Sequence, residues 1–568
     1  MAYTGNQGFG GLDARRAASD GAIRDMDNMS LRFSPALSSR TKRRRIGDGW
    51  SDFGGVHYGD RTFVCRGGKL YDGDDEVCGV TPGEKQMAVL EGNLYIFPDK
   101  IVYNVDDKTV NSFAGEINNK GEMLEKPVYI DYYYKEEQNG DFINTTYYAS
   151  GLVFKKDLFP DIYFENGEAV TVKITKRRRW GSSNTYNVTF EMSMRPDEVR
   201  RELSNETYGD CWVLKYPLRQ FDEIIEKNYI NDTPMRERYI IEAEVKHAVP
   251  DMDIVFASDN RLWGAKGRNI YASALGQGMV WMDYDTLSTS SWAAMTKTGD
   301  EITAGVDFGG MPVFFCENAA YKIYGENPKE FQYARQDMIG VTKGDHKSVA
   351  VGAGYIFYAT RRGIYAWTGG VPQMISSPLG EGHIKNAVGG SDGTCYYLSC
   401  EQDGRQNLYV YDPQAFVWVR EDGTKALDIR QRGRDLCMVT EGGEVWLIGD
   451  VYGTEGTAED GIRYSLETAD YNDGAVTVKA AKHILLQHEL KGGVADVCVS
   501  YDGEPYEHVY TLYDTDGKKI TSVIPLREKR YRTMSIRIDG DGEIVIYYMV
   551  REVSALTERT GGEKNVYQ

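Results

Sequence analysis

Seven times along this chain an apolar strand, a short glycine-rich or polar turn and a second apolar strand follow one another. The segments are 62–71 around Gly67-Gly68, 87–97 around Glu91-Gly92-Asn93, 254–263 around Ser258-Asp259-Asn260, 313–324 around Glu317-Asn318, 355–367 around Arg361-Arg362-Gly363, 395–411 around Asp403-Gly404 and 436–448 around Glu441-Gly442-Gly443. From Asn318 through Arg362 and Gly404 to Gly442 the turns advance by 44, 42 and 38 residues, close to the ~40–50 residues of a four-stranded propeller blade. A lone hairpin buries one apolar face and is marginal in water, so the segments need one another. A ring of blades meets that need and protects the sheet edges. Separate β-sandwiches made from the same hairpins are the competing arrangement.

With 568 residues the chain is too long for one ordinary core, and a repeat architecture absorbs the length. Forty tyrosines and 62 glycines against 16 prolines suit aromatic strands punctuated by glycine turns. The expected class is all-β: a β-propeller of about six to seven blades with an inserted β-rich domain and a C-terminal β-sandwich-like domain. The expected divisions are an N-terminal arm with its first strand (1–46), first blades (47–117), the insertion (118–249), remaining blades (250–457), the sandwich-like domain (458–553) and a tail (554–568). Inside the insertion, tyrosine-rich strands over 128–134, 145–154, 169–174 and 186–192 are followed by a polar patch at 196–205 that reads as helical. The glycine- and threonine-rich run from 450 to 461 reads as a linker. Beyond it, longer alternating strands are separated by tight Asp-Gly turns.

The net charge of −19 argues against a general nucleic-acid coat, which needs a basic excess. Residues 1–46 run the other way, with nine Lys/Arg against four Asp. Arg15, Arg16, Lys42, Arg43, Arg44 and Arg45 there, and Lys176, Arg177, Arg178, Arg179 and Trp180 in the insertion, are the candidate residues for docking an acidic partner or lining a channel. A solvated strand, or arginines stacked on tryptophan, would look the same in sequence. Eight cysteines without a CxxC pair indicate neither a zinc ribbon nor a disulfide framework. There is no apolar leader and no run approaching the ~18 apolar residues of a spanning helix, so synthesis in a cytoplasm without a membrane-spanning segment is expected.

Motifs for chemistry are weak. Residues 340–348 lack the spacing of a phosphate-cradling loop. His483 and His488, five apart on a strand, fall on opposite faces and are not expected to be metal ligands. The turns at 514–517 and 539–543 carry carboxylates but not the spacing of a calcium loop. Propeller glycosidases set two or three carboxylates at the central channel; Ser391-Asp392-Gly393-Thr394-Cys395-Tyr396 is the nearest approach to an aspartate box, and it does not recur. The expectation is a chain without enzymatic activity, cofactor or metal.

The opening stretch is more specific. Gly10-Gly11-Leu12-Asp13-Ala14-Arg15-Arg16 leads to Ser19-Asp20-Gly21-Ala22-Ile23-Arg24-Asp25-Met26-Asp27-Asn28, to Ser34-Pro35-Ala36-Leu37 and to Lys42-Arg43-Arg44-Arg45, ahead of the hairpins. This order resembles the propeller proteins of tailed bacteriophages, the tail-nozzle, tail tubular protein B-like and "phage stabilisation protein" group. There a glycine-aspartate strand is followed by a short helix ending near an asparagine and then by an arginine-rich strand. Asn260-Arg261-Leu262-Trp263-Gly264 resembles a blade of the same group, and the likeness covers 8–46 and 250–550. It implies a structural virion protein at the head-tail connector or tail. It further implies a self-assembled ring, commonly a hexamer, touching portal, adaptor or other tail proteins and transiently the phage DNA in its lumen. A receptor-binding or glycan-binding propeller at the tail tip, and a propeller glycoside hydrolase, are the alternatives.

Overall fold

The computed structural model describes residues 2–113 and 249–556, apart from 17, 20, 50–53, 60, 282–287, 329 and 474–476, and the backbone of the strands lying between 117 and 247. The chain is an all-β protein built on a β-propeller. Each of the seven hairpins falls in a different sheet, and six of these sheets, spanning 55–79, 86–112, 254–295, 304–337, 350–374 and 384–422, take four consecutive antiparallel strands in chain order. The seventh begins the same way, with Ala426–Arg432, Asp435–Thr440 and Val445–Ile448, but its next strand is Arg44–Gly47 from the N-terminal arm, followed by Thr457–Ala458. The run 450–461, expected to be a linker, therefore contributes a strand. Its pairing with a distant arginine strand is what local composition could not reveal.

The contacts divide the chain into two units. One comprises residues 1–85, 314–320 and 335–568. In it the inner strands Ala350–Gly352, Ile384–Ser391, Ala426–Arg432 and Gly55–Tyr58 are neighbours in that order. The hairpins of the first three pack an aromatic core in which Phe357 stacks on Tyr396 at 4.8 Å and Trp418 meets Tyr411 at 4.9 Å. That core runs without a break into the terminal sandwich, through Leu466, Ile484, Val497 and Ile536.

The sandwich consists of two five- and six-stranded sheets. In the long strand Lys479–Lys491, Ile484, Leu486, His488 and Leu490 are buried while the residues between them are half-buried, the period-two pattern of a strand with one face on a core. His483 and His488 do lie on opposite faces: His483 reaches Glu552 at 3.3 Å and His488 is buried. Neither sheet is complete without the arm. Ile23–Asp27 pairs with Arg463–Thr468 in one, and Ala2–Asn6 and Leu37–Ser39 pair with Glu543–Ala555 in the other. The short helix implied for the arm does not form among its described residues, because Ile23–Asp27 gains a sheet partner instead.

The other unit comprises residues 86–313 and 321–334. Tyr95, Phe97, Leu262, Tyr271 and Trp281 share a core, with Trp281 edge-on to Phe97 at 5.8 Å. The inserted region is β-rich. Ile117–Gly121, Ile240–His247, Val170–Trp180 and Asn184–Met194 form one sheet in that order, and Leu152–Lys155, Gly209–Leu214 and Val199–Asn205 form another. The patch at 196–205 is thus corrected from helix to strand over Val199–Asn205: pairing with Gly209–Leu214 overrides local propensity.

Candidate functional site

The signature stretch of the arm is where the first unit is fastened together. Gly11 adopts φ +78° and passes so close to the 384–422 sheet that a Cβ there would lie 2.6 Å from the Trp418 carbonyl oxygen. Leu12 N–H donates to that same carbonyl at 2.7 Å, and Ala14 N–H to the Pro378 carbonyl at 2.8 Å. Gly21, at φ +70°, faces the Tyr471 ring, which a Cβ would approach to 2.0 Å. Only glycine meets both demands. Asn28, also left-handed, accepts from Arg40 Nε at 2.6 Å and donates to the Arg463 carbonyl at 2.7 Å.

The arginines that follow divide sharply. Arg40 makes a two-pronged contact with Glu459 at 2.7 and 2.9 Å. Arg43 is buried, with Glu421 at 2.6 Å and Asp422 at 2.7 Å. Burial opposes the Arg43 charge, yet the two carboxylates outweigh it and hold its pKa above the ordinary arginine value. The same pair keeps Asp422 below the usual carboxylate range despite burial. Arg43 is therefore corrected from a docking residue to an internal one. Arg44, beside it, donates to the carbonyls of Thr454, Glu455 and Gly456 and clasps the strand that follows. Arg45 is partly exposed between Asp48 and Glu444, Lys42 reaches the Asp460 carbonyl at 3.3 Å, Arg15 pairs with Asp13, and Arg16 is 92% exposed. Lys176, Arg177, Arg178, Arg179 and Trp180 end the strand Val170–Trp180, and their side chains lie outside the described residues.

Sequence reasoning missed Arg40, Arg420 and their acids. Arg420 is buried, donating to Asn407 at 2.7 Å and pairing with Asp27 of the arm. Burial pulls the Arg420 pKa down, and Asp25 and Asp422 oppose that. The signal lay in the alternation of Asp25 and Asp27, which puts two acids on one face of the strand Ile23–Asp27. A cavity of about 390 Å³ opens between this strand and the blade, lined by Arg24, Asp25, Asp403, Arg405, Tyr409 and Arg420 among others. Its charges are largely spent on one another: Arg405 meets Asp25 at 3.1 Å and Arg24 pairs with Glu467.

The remaining sequence motifs are turns. Asp392 accepts from the N–H groups of Thr394 and Cys395 at 2.8 and 2.7 Å, an ordinary aspartate turn, and burial pushes the Cys395 thiol up to about 12. In the stretch 340–348, His346 and Lys347 meet Glu84 at 3.1 and 3.3 Å, and mainly through the His346 contact its pKa falls to about 2. Among the described residues no group of three or more His, Cys, Asp or Glu is placed to hold a metal ion, and no helix is long and apolar enough to cross a membrane.

The second unit carries a smaller, aromatic cavity of about 180 Å³. Trp263, Met311, Pro312, Ile323, Tyr324 and Phe331 contribute to its walls, with Asp259 also lining it. Turns frame it. Ser258 Oγ donates to Asp307 at 2.5 Å, and the Gly310 N–H donates to the same carboxylate at 3.1 Å, locking two of them together. Beneath, Arg261 donates to the carbonyls of Ser273, Ser288 and Ser290 and lies 5.6 Å over the Phe331 ring.

No protein-family model matches the chain, and no curated protein does. Solved structures do. The exo-β-1,3-galactanase of Phanerochaete chrysosporium is similar at 11% identity over 52% of this chain and 95% of its own, with a TM-score of 0.21. Hsv2 of Kluyveromyces lactis is similar at 11% identity over 50% and 88%, with a TM-score of 0.26. A bifunctional GH43-CE protein of Bacteroides eggerthii is similar at 9% identity over 54% and 63%, with a TM-score of 0.19. At such identities the likeness is one of fold. It nevertheless includes glycoside hydrolases, and the expectation of a chain without enzymatic activity is corrected on that finding.

Proposed function

We propose that the chain is a structural protein of a tailed-phage or prophage particle, part of the head-tail connector or tail, which assembles with copies of itself into a ring that retains DNA and then conducts it. The observation that carries this reading is what the signature residues do. Gly11, Gly21, Asn28 and Arg43, which lie in the stretches that carry the family likeness, fasten the arm to the 384–422 sheet and to the terminal sandwich. With Ala2–Asn6 paired to the strand Glu543–Ala555, the sandwich resists being peeled apart strand by strand, as a component facing packaged DNA must. The net charge of −19 suits a conduit that repels phosphate rather than holding it. Arg15, Arg16, Lys42 and Arg45, with the 176–180 run, are the groups for docking portal, adaptor or other tail proteins.

Gold labelling of the chain on intact particles tests this. Label at the head-tail junction or along the tail is the expected result. Label confined to the distal tip overturns it in favour of receptor or glycan binding, and absence from particles overturns it outright. Cleavage of a polysaccharide by the purified chain, lost in a carboxylate variant, replaces it with the hydrolase reading.

A further inference from the structure

Phe416 stands where a phenylalanine is costly. It ends the turn between the strands Arg405–Asp412 and Val417–Asp422 with φ +57°, the left-handed region in which a Cβ crowds the carbonyl and glycine or asparagine is the ordinary occupant. Among the described residues the other non-glycine positions with positive φ hold Asn, Asp, Glu, Lys or Ala; Phe416 is the one aromatic. Burial does not compensate, because Phe416 is 66% exposed. The turn does not require the ring either, since Asp412 Oδ1 already accepts from the N–H groups of Gln414 and Ala415 at 2.8 and 3.1 Å. An aromatic held outward at a conformational cost is a mark of contact with something else.

The aromatic cavity of the second unit has the complementary property. It offers about 180 Å³ walled by Trp263, Met311, Tyr324 and Phe331 and fills it with nothing of its own. Trp263, Trp292 and Phe331 already pack tilted or edge-to-face at 5.4 to 5.8 Å, the spacing that a further phenyl ring would extend. Among the described residues Asp259 is the one charged side chain lining the cavity, so the pocket suits an apolar ring better than a ligand that needs many hydrogen bonds.

We propose that Phe416 of one copy seats in this pocket of a second copy of the chain. Such a contact is heterologous, using one patch on each partner, and repeats from copy to copy until rotation closes the ring. One buried aromatic at the centre of a larger interface is a usual energetic anchor. The proposal rests on the self-assembly part of the reading above and is independent of where in a particle the ring sits.

The test uses the purified full-length chain in sedimentation velocity, with thermal melts as a folding control. The wild type is expected to sediment as an assembly. Phe416→Gly and Phe416→Asn are expected to sediment as monomers with an equal or higher Tm, because the strained residue is relieved. Met311→Trp, which fills the pocket, is expected to be monomeric too, with Tyr324→Ala as a second pocket variant should the first melt early. Mixing Phe416→Gly with Met311→Trp leaves one intact knob and one intact hole, so the mixture should form one-to-one pairs but no rings. A monomeric wild type, a Phe416→Gly chain that assembles like wild type, or folded knob and hole variants that fail to pair would each overturn the proposal. Failure here leaves the particle labelling unaffected, and the converse also holds.

Discussion

The 86–112 sheet and the seventh sheet begin alike and end differently. The first takes four consecutive strands, and its outermost one, Thr109–Ser112, is exposed along its length. The seventh stops after three and is completed by Arg44–Gly47, a strand from the far end of the chain. Where a sheet supplies its own last strand, a hairpin and a glycine turn suffice. Where the last strand comes from elsewhere, something must bring it there and hold it, and that task falls to buried charge: Arg43 with Glu421 and Asp422, Arg40 with Glu459.

The sharpest way to break this contrast is Arg43→Glu. It sets a third acid against Glu421 and Asp422 in a buried site, and breaking such a pair costs about 3 to 5 kcal/mol or more. A large drop in Tm, or insoluble protein, is expected in calorimetry. Arg45→Glu, two residues along the chain and partly exposed, is expected to leave Tm nearly unchanged. Equal effects of the two would sink the account of how the seventh sheet is closed.

A smaller effect tests the other fastening of the arm. Gly21→Ala combines a left-handed backbone with a clash against Tyr471, together about 2 to 4 kcal/mol. Faster proteolysis of the first forty residues should accompany the loss of stability. A Gly21→Ala chain as protease-resistant as wild type would show that the arm is not held there.

The smallest effect concerns the seam where Gly55–Tyr58 lies against Ala426–Arg432 of the seventh sheet. Burial lowers the His57 pKa to about 4, with Asp428 opposing and Arg430 and Arg432 adding. The folded imidazole stays neutral while the unfolded one gains a proton below ~6.5. Stability should therefore be whole above that pH and fall as the pH drops toward 4, by at most ~1.4 kcal/mol per unit. His57→Gln should flatten this window in urea melts taken from pH 7 to 4.5; an unchanged slope would show that other groups carry it.

Much of the fold was legible because its central strands are the buried ones. Strands such as Met311–Phe315, Tyr355–Thr360 and Asp435–Thr440 read as apolar runs, and turns such as Gly67-Gly68 and Asp403-Gly404 announce themselves chemically. Outer strands escaped notice because nothing in Thr109–Ser112 or Gln373–Met374 is apolar enough to mark them. The basic run was legible as charge but not as place. Arg43, just before the strand Arg44–Gly47, is buried while Arg45 within it is partly exposed, a distinction set by partners some 380 residues away. Neither the cost of Phe416 nor the pocket at Trp263 left any trace in composition, because one depends on a backbone angle and the other on three turns meeting.

Alternation, turn residues and spacing by themselves determined that this chain folds into repeated β hairpins with a longer-stranded C-terminal region, since those properties act over a few residues and survive in any context. Tertiary structure alone decided which strand completes the seventh sheet, which arginines are spent inside and which aromatic is left outside. Those outcomes depend on groups hundreds of residues apart, and the energy of a buried ion pair or a closed sheet edge exists only once both partners have arrived.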